Sequence, residues 1–374
     1  MKFNMLLGTA AAVAIAAGAQ AQDDFTPSGD EKLTIVSWGG AYSESQDKAY
    51  HEPYEEEFGV EILTEDKSAN ALAGIRSQVE AGNVTWDIVD MLQADALRAC
   101  DEGLLIEIPH DEWLAEGPDG SPASEDFIED TLGDCFVPQI LYATMFAYNT
   151  EAFEGEGPQT IEDIWNCEKF PGTRALEKIP QKNLEWALIA DGVPAEEVYD
   201  VLATDEGQDQ AFASLEALQS QEGCDVIWWS EGAQPPQMLA DEEAVIATAF
   251  NGRIFNAQVS EDQPFEIIWD KQMFEVDGWV VPVGNEDDLP LIKHYLKWAT
   301  DTQRLADQAK FISYGPARAS SDALVSTHAE TGVEMAPHMP TNPENFEKAV
   351  RFDTSFWADY GDALEERFTA WLSE

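Results

Sequence analysis

Short apolar runs alternate with amphipathic helical stretches along most of this chain. Residues 33–38 (LTIVSW) read as a buried strand that runs into Gly39-Gly40, a turn signal. Residues 43–58 carry a helical pattern, with Gly59 placed to cap its end. Residues 60–63 and 86–91 are strand-like, and 71–81 between them are helical. This alternation predicts an α/β fold with a mainly parallel sheet. Residues 107–127, rich in Pro, Gly and acids, predict a surface excursion. Residues 136–148 read as a strand that carries the chain into a second lobe. Strands are predicted there at 174–177, 225–229, 245–249 and 265–269, with a return crossing at 277–283. A helix is predicted over 290–311 and a last one over 362–372, whose Leu364, Phe368, Trp371 and Leu372 share a face.

The first 21 residues follow a different rule. Lys2 supplies a positive start, an Ala-rich apolar run follows, and Ala19-Gln20-Ala21 matches a small-residue cleavage site. The expectation is a signal peptide over 1–21, cleaved after Ala21, and a flexible leader over 22–31. The exported product is expected in the periplasm.

The chain has 374 residues, with 73 Asp and Glu against 20 Lys and Arg, a formal net charge of −53. That balance argues against nucleic acid and against an anionic membrane surface, both of which need clustered cations. The 44% hydrophobic content separates the chain from acidic disordered tails and allows a sizeable core. The acid excess reads first as a solvated surface and second as a field that draws in a cationic ligand.

Export gives the four cysteines a meaning. Cys100, Cys135, Cys167 and Cys224 show no metal-ligand spacing and no C-x-x-C. An even count in an oxidising compartment suggests two disulfides. Of three possible pairings, Cys100–Cys135 with Cys167–Cys224 keeps each bridge inside one lobe. Free buried thiols are the alternative.

A secreted α/β protein could be a hydrolase, yet G-x-S-x-G, H-E-x-x-H and P-loop patterns are absent. The five histidines are scattered, and no calcium loop of the D-x-[DN]-x-[DN]-G type occurs. No catalytic residue, metal or cofactor is expected. What stands out instead is aromatic and polar residues at predicted strand ends, where open α/β sheets bind ligands. They are Trp38-Gly39-Gly40-Ala41-Tyr42, Gln93, Trp228-Trp229-Ser230-Glu231-Gly232, Phe250-Asn251-Gly252-Arg253, Asp277-Gly278-Trp279 and Tyr314-Gly315-Pro316.

The stretches LTIVSWGGAYS (33–43), WDIVDMLQADALRAC (86–100), YATMFAYNT (142–150), FPGTRAL (170–176), IWWSEGAQPPQML (227–239), AFNGR (249–253), GWVVPV (278–283) and MPTNPEN (339–345) occur in an order and spacing that resemble a known family. It is the periplasmic solute-binding proteins of ABC transporters, of the spermidine/putrescine type, and the resemblance covers essentially the whole mature chain. It implies a two-lobed periplasmic-binding-protein fold of type II, with a hinge of two crossing segments and a ligand cleft between the lobes. The expected division is 32–137 plus 278–311 for lobe 1 and 138–277 plus 312–374 for lobe 2. It also implies capture of a small molecule by a monomer and delivery to ABC permease subunits, with no chemistry done.

Carried over from the family, Trp38 and Tyr42 match an aromatic contact region and Gln93 a polar contact. Phe250 falls where polyamine binders often have Trp, Asp277 matches an acid that holds an amine, and Tyr314 matches a late aromatic contact. Trp279 is counted with them, although packing in the crossing strand is the stronger reading. Two departures bear on the ligand. Arg253 stands near where polyamine binders have a second acid, and Pro180-Gln181-Lys182-Asn183 replaces a loop that carries acids in them. Arg grips a carboxylate bidentately, and the backbone N–H groups of residues 230–233, Ser230 among them, suit an anion. Arg253 facing Asp277 suits a zwitterion such as γ-aminobutyrate, with a polyamine as the alternative. A structural ion pair is the competing role for Arg253, and a hinge hydrogen bond for Asp277. A ferric-ion binder is disfavoured because no Tyr-Tyr pair occurs.

Overall fold

The computed structural model describes residues 25–373. The expected signal peptide and its cleavage site at Ala21 lie outside the described residues. Eight strands set the frame: β1 (Lys32–Ser37), β2 (Glu61–Asp66), β3 (Ile88–Leu92), β4 (Val137–Asn149), β5 (Arg174–Glu177), β6 (Val226–Trp229), β7 (Ile246–Phe250) and β8 (Phe265–Val280). They hydrogen-bond in the order β2-β1-β3-β8-β4-β7-β5-β6, with short strands at Gly315–Pro316 and Val350–Arg351 attached to β4 and β8. β1 is parallel to β2 and β3, and β5 is parallel to β6 and β7. Between these two parallel groups run β4 and β8, antiparallel to each other from Val137↔Trp279 to Asn149↔Phe265. β4 is buried at all 13 positions, the polar Gln139, Thr144 and Asn149 included, as expected for a strand in the middle of a covered sheet.

Two cores flank this pair. One gathers Leu33, Ile35, Ile88, Val89, Tyr50, Trp279 and Tyr295; the other gathers Phe146, Trp186, Leu215, Ile246, Trp357 and Phe368. The fold is thus a two-lobed α/β arrangement with β4 and β8 as its crossing segments. The segment after 311, expected with lobe 2, sends Ala317 into the first core. The adjacent Arg318 anchors it there through Asp126 at 2.7 Å and the Ala115 carbonyl. Both disulfides form, Cys100–Cys135 with Cα atoms 5.8 Å apart and Cys167–Cys224 with 5.6 Å.

The last helix, expected from 362, begins at Thr354, and three further elements differ from their predicted form. The helix expected over 43–58 is three pieces, Ala41–Gln46, a π-helical turn Asp47–His51 and Glu52–Phe58. Pro53 has no N–H to give to the preceding turn, and the widened turn lies just before it. Gly59 closes the run in the left-handed region at φ 75. The helix expected over 290–311 breaks into Leu289–Ala299 and Thr302–Gln308, with the Asp301 side chain capping the second through Gln303 N. The strands expected at 265–269 and 277–283 are one strand, β8. They looked separate because four residues, 269–272, bulge opposite Met145, with Lys271 at φ 53.

Candidate ligand-binding site

The ends of β1, β5 and β7 meet the middle of β4 and β8 around a cavity of about 300 Å³. Asp277 lies at its base on β8, opposite Leu92 of β3 and Ile140 of β4. It is 2% exposed. One carboxylate oxygen accepts from Trp38 Nε1 at 3.0 Å and the other from the Tyr42 hydroxyl at 2.9 Å. Burial, reinforced by the nearby Asp90, pushes the Asp277 carboxyl well above the usual carboxylate range.

Residues two apart on a strand share a face, so Glu275 projects beside Asp277 about 7 Å along β8. Glu275 repeats the Asp277 arrangement with different partners. Its Oε2 accepts from the Tyr142 hydroxyl at 2.8 Å and pairs with Lys182 Nζ at 2.5 Å. Lys182 is 6% exposed. Burial works to discharge it, but Glu275 and Glu177 overcome this and hold its ammonium above the ordinary range. Glu177, at the end of β5, is pushed up to about 7 by burial, partly opposed by Lys182.

Aromatic rings form the walls. Tyr314 sits 6.0 Å from both Tyr42 and Tyr142, and Phe250 meets Tyr142 edge-on at 5.7 Å and Trp229 at 5.9 Å. Two glycines make this approach possible. A Cβ on Gly252 would lie 2.6 Å from the Tyr314 ring, and one on Gly232 2.7 Å from Phe250. Burial raises the Tyr314 hydroxyl to about 12, with Arg253 acting in the opposite sense.

Arg253 enters from the first turn of the helix Asn251–Ser260. Its guanidinium approaches Gly40 at the lip of the other lobe, where a Cβ would stand 3.5 Å from Nη1. Among the described residues no carboxylate lies within 4.0 Å of it. A half-buried cation that opens on a cavity without an internal partner is equipped to take an anion from outside.

The cavity therefore brings together Trp38, Tyr42, Ser230, Phe250, Arg253, Asp277 and Tyr314. Two sequence candidates stand elsewhere. Gln93 turns away and donates to the Asp130 and Thr131 carbonyls at 3.1 and 3.0 Å. It lines a larger groove of about 540 Å³ that also contains Asp130 and Arg351, a pair already joined at 3.3 Å. Trp279 is fully buried against Tyr50 and Tyr295, in the first core. The backbone at Ser230 is not free for an anion either: the Gln234 side chain accepts from both Ser230 N and Glu231 N, at 2.8 and 3.0 Å.

Sequence reasoning missed Tyr142, Glu177 and Lys182, which line the cavity, and Glu275 behind Lys182. The loop at 180–183 does lack acids, but it supplies a buried cation. The available signal was position, since Glu177 ends β5 just as Phe250 ends β7.

Known proteins agree with this architecture. Residues 49–341 match the family model for bacterial extracellular solute-binding proteins. A γ-aminobutyric acid-binding protein of Pseudomonas aeruginosa is 35% identical over 361 residues, covering 96% of this chain and 94% of that one. A solved GABA receptor superposes with a TM-score of 0.75 at 28% identity, over 91% of this chain and 97% of that one. The binding protein MotA of A. tumefaciens B6, in complex with glucopine, gives 0.76 at 28%, over 91% and 99%. With a family match over most of its length and a relative that spans nearly all of it, the chain belongs to the bacterial extracellular solute-binding proteins.

Proposed function

We propose that this protein is the periplasmic substrate-binding component of an ABC importer, exported by its signal peptide. It encloses a small zwitterionic ω-amino acid, γ-aminobutyrate or a close relative, between its lobes and hands it to a membrane permease. Capture and release do the work, with no bond made or broken. Arg253 holds the carboxylate, Asp277 the ammonium, and Trp38, Tyr42, Phe250 and Tyr314 cover the alkyl chain. The observation that carries this reading is the Arg253 guanidinium, open to the cavity and, among the described residues, without a carboxylate partner. Each oxygen of Asp277 accepts one hydrogen bond and has capacity for a second. The 35% identical relative named for γ-aminobutyric acid supports the ligand class. The lobes close about β4 and β8, selected by ligand contacts from both sides.

The carboxylates Asp277, Glu177 and Glu275 favour a second reading, a polyamine. Arg253 opposes it, since an ammonium near that guanidinium is repelled. A thermal-shift panel separates the two, because a ligand that binds the native state raises the melting temperature. Stabilisation by γ-aminobutyrate and not by putrescine or spermidine is expected. The reverse pattern would sink the zwitterion reading.

A further inference from the structure

The wall formed by Glu177, Lys182 and Tyr142 leaves buried acceptor atoms unpaired. Glu177 lines the cavity, and its Oε2 is buried with no hydrogen-bond partner. The neighbouring Gln181 Oε1 is buried and unpartnered too. Lys182, the cation at this wall, is already committed to Glu275 at 2.5 Å. Tyr142 donates to that same Glu275 oxygen. Lys182 reaches it from a left-handed backbone, φ 69, a conformation that costs a non-glycine residue energy and is kept only where the surroundings fix it. In this arrangement neither Lys182 nor Tyr142 donates to Glu177 Oε2.

The charges of the site point to the same group. Leaving out the exposed Glu231, the cavity group has two cations, Lys182 and Arg253, and three carboxylates, Glu177, Glu275 and Asp277. The balance is 2 − 3 = −1 in the ligand-bound state, where all five are ionised. A neutral ω-amino acid leaves that charge where it is. A ligand with one carboxylate and two cationic groups cancels it, and buried ionised groups favour a full complement of partners.

We propose that Glu177 is a ligand-contacting residue and that the site is built for a monocarboxylate with two cationic groups, a diamino acid. This rests on the reading in which Arg253 holds the carboxylate and Asp277 one ammonium. The second ammonium lies against Glu177 and the face of Tyr142. Specificity then comes from a site acceptor left unpaired when the smaller ligand binds, which penalises the analogue that lacks the donor.

The test is isothermal titration of the purified protein with matched pairs that differ by one amine. The pairs are 4-aminobutyrate with 2,4-diaminobutyrate, 5-aminopentanoate with ornithine, and 6-aminohexanoate with lysine. In at least one pair the diamino member binds tenfold or more tighter. In Glu177→Gln that ratio falls to within twofold of one, while Glu177→Asp, which keeps the charge, retains part of it. A ratio of one or less in every pair, or one unchanged in Glu177→Gln, overturns the assignment of Glu177. That result leaves the zwitterion reading standing if the mono-amines still bind and Arg253→Ala abolishes their binding. Binding of putrescine with no amino acid bound overturns both.

Discussion

The Tyr42 hydroxyl donates to Asp277 at 2.9 Å, joining the first helix of one lobe to the strand that crosses between them. The same hydroxyl lies 2.9 Å from Gln139 Oε1, in the irregular step of β4 opposite β8, so two acceptors compete for its single proton. Gln139 continues to Gln308 at 3.0 Å, and Gln46 links it to Asp90. The base of the cavity thus rests on a buried polar network, which holds the Asp277 carboxylate in one orientation.

That relationship fixes a pH dependence of binding. Burial and Asp90 keep Asp277 protonated above the usual carboxylate range in the unligated protein. An arriving ammonium favours the ionised form, so binding releases a proton and tightens as pH rises. The ligand's own carboxylate and ammonium keep their charges over pH 5.5–8, roughly. Affinity for an ω-amino acid is expected to rise across that window and level off once Asp277 ionises unaided. Titration calorimetry in buffers of different ionisation enthalpy counts the protons released, and Asp277→Asn removes them. Flat affinity with buffer-independent enthalpy would show that Asp277 does not hold the ammonium.

Arg253 gives the strongest substitution. Among the described residues its guanidinium has no carboxylate within 4.0 Å to lose, so Arg253→Ala should leave the unligated melting temperature within about 2 °C of wild type. Loss of a bidentate charge-assisted contact should weaken a carboxylate ligand by about 2–3 kcal/mol, roughly 30- to 150-fold. Arg253→Lys recovers only part, because an ammonium cannot match the fork. Unchanged calorimetric affinity in Arg253→Ala would make the residue structural.

Gly252 tests the aromatic wall. A Cβ there would stand 2.6 Å from Tyr314 and 2.8 Å from Ile312, so Gly252→Ala must push the ring aside. Overpacking of this kind costs about 1–3 kcal/mol. Denaturant unfolding should report that loss and calorimetry a weaker ligand. Unaltered stability and affinity together would mean that the ring gives way freely and does not shape the cavity.

These residues also show where the sequence was readable. Strands such as β1, β3, β4 and β7 are mainly apolar and mostly buried, which leaves them little other choice. Loops at their ends pointed to Trp38, Tyr42, Phe250, Arg253, Asp277 and Tyr314, all of which the fold brings to one cavity. Direction was not readable. Gln93 ends β3 as Glu177 ends β5, yet one bonds back to the Asp130 and Thr131 carbonyls while the other faces the cavity. Lys182 escaped notice because its role depends on Glu275, 93 positions along the chain and adjacent only once β5 and β8 lie in one sheet.

Asp90 predicts how the unligated protein responds to pH. It is fully buried, Gln46 donates to one oxygen at 3.0 Å, and the other oxygen has no partner. Burial pushes its carboxyl up to about 8, against about 3.9 in an unfolded chain. Between those values the folded state binds the extra proton, so stability falls as pH rises through the window. Glu177 and Glu185, each raised to about 7 by burial, act in the same direction. The net charge of −53 adds self-repulsion that grows as carboxylates ionise. Glu31, lowered to about 2 by hydrogen bonds from Ser28, works the opposite way, but only as the pH drops below roughly 4.5. The melting temperature should therefore be highest near pH 5, roughly, and decline towards pH 8. Asp90→Asn removes one titration, flattening the slope and raising the melting temperature at the alkaline end. A wild-type melting temperature that climbs from pH 5 to 8, or an unchanged slope in Asp90→Asn, would exclude the buried carboxyl as its source.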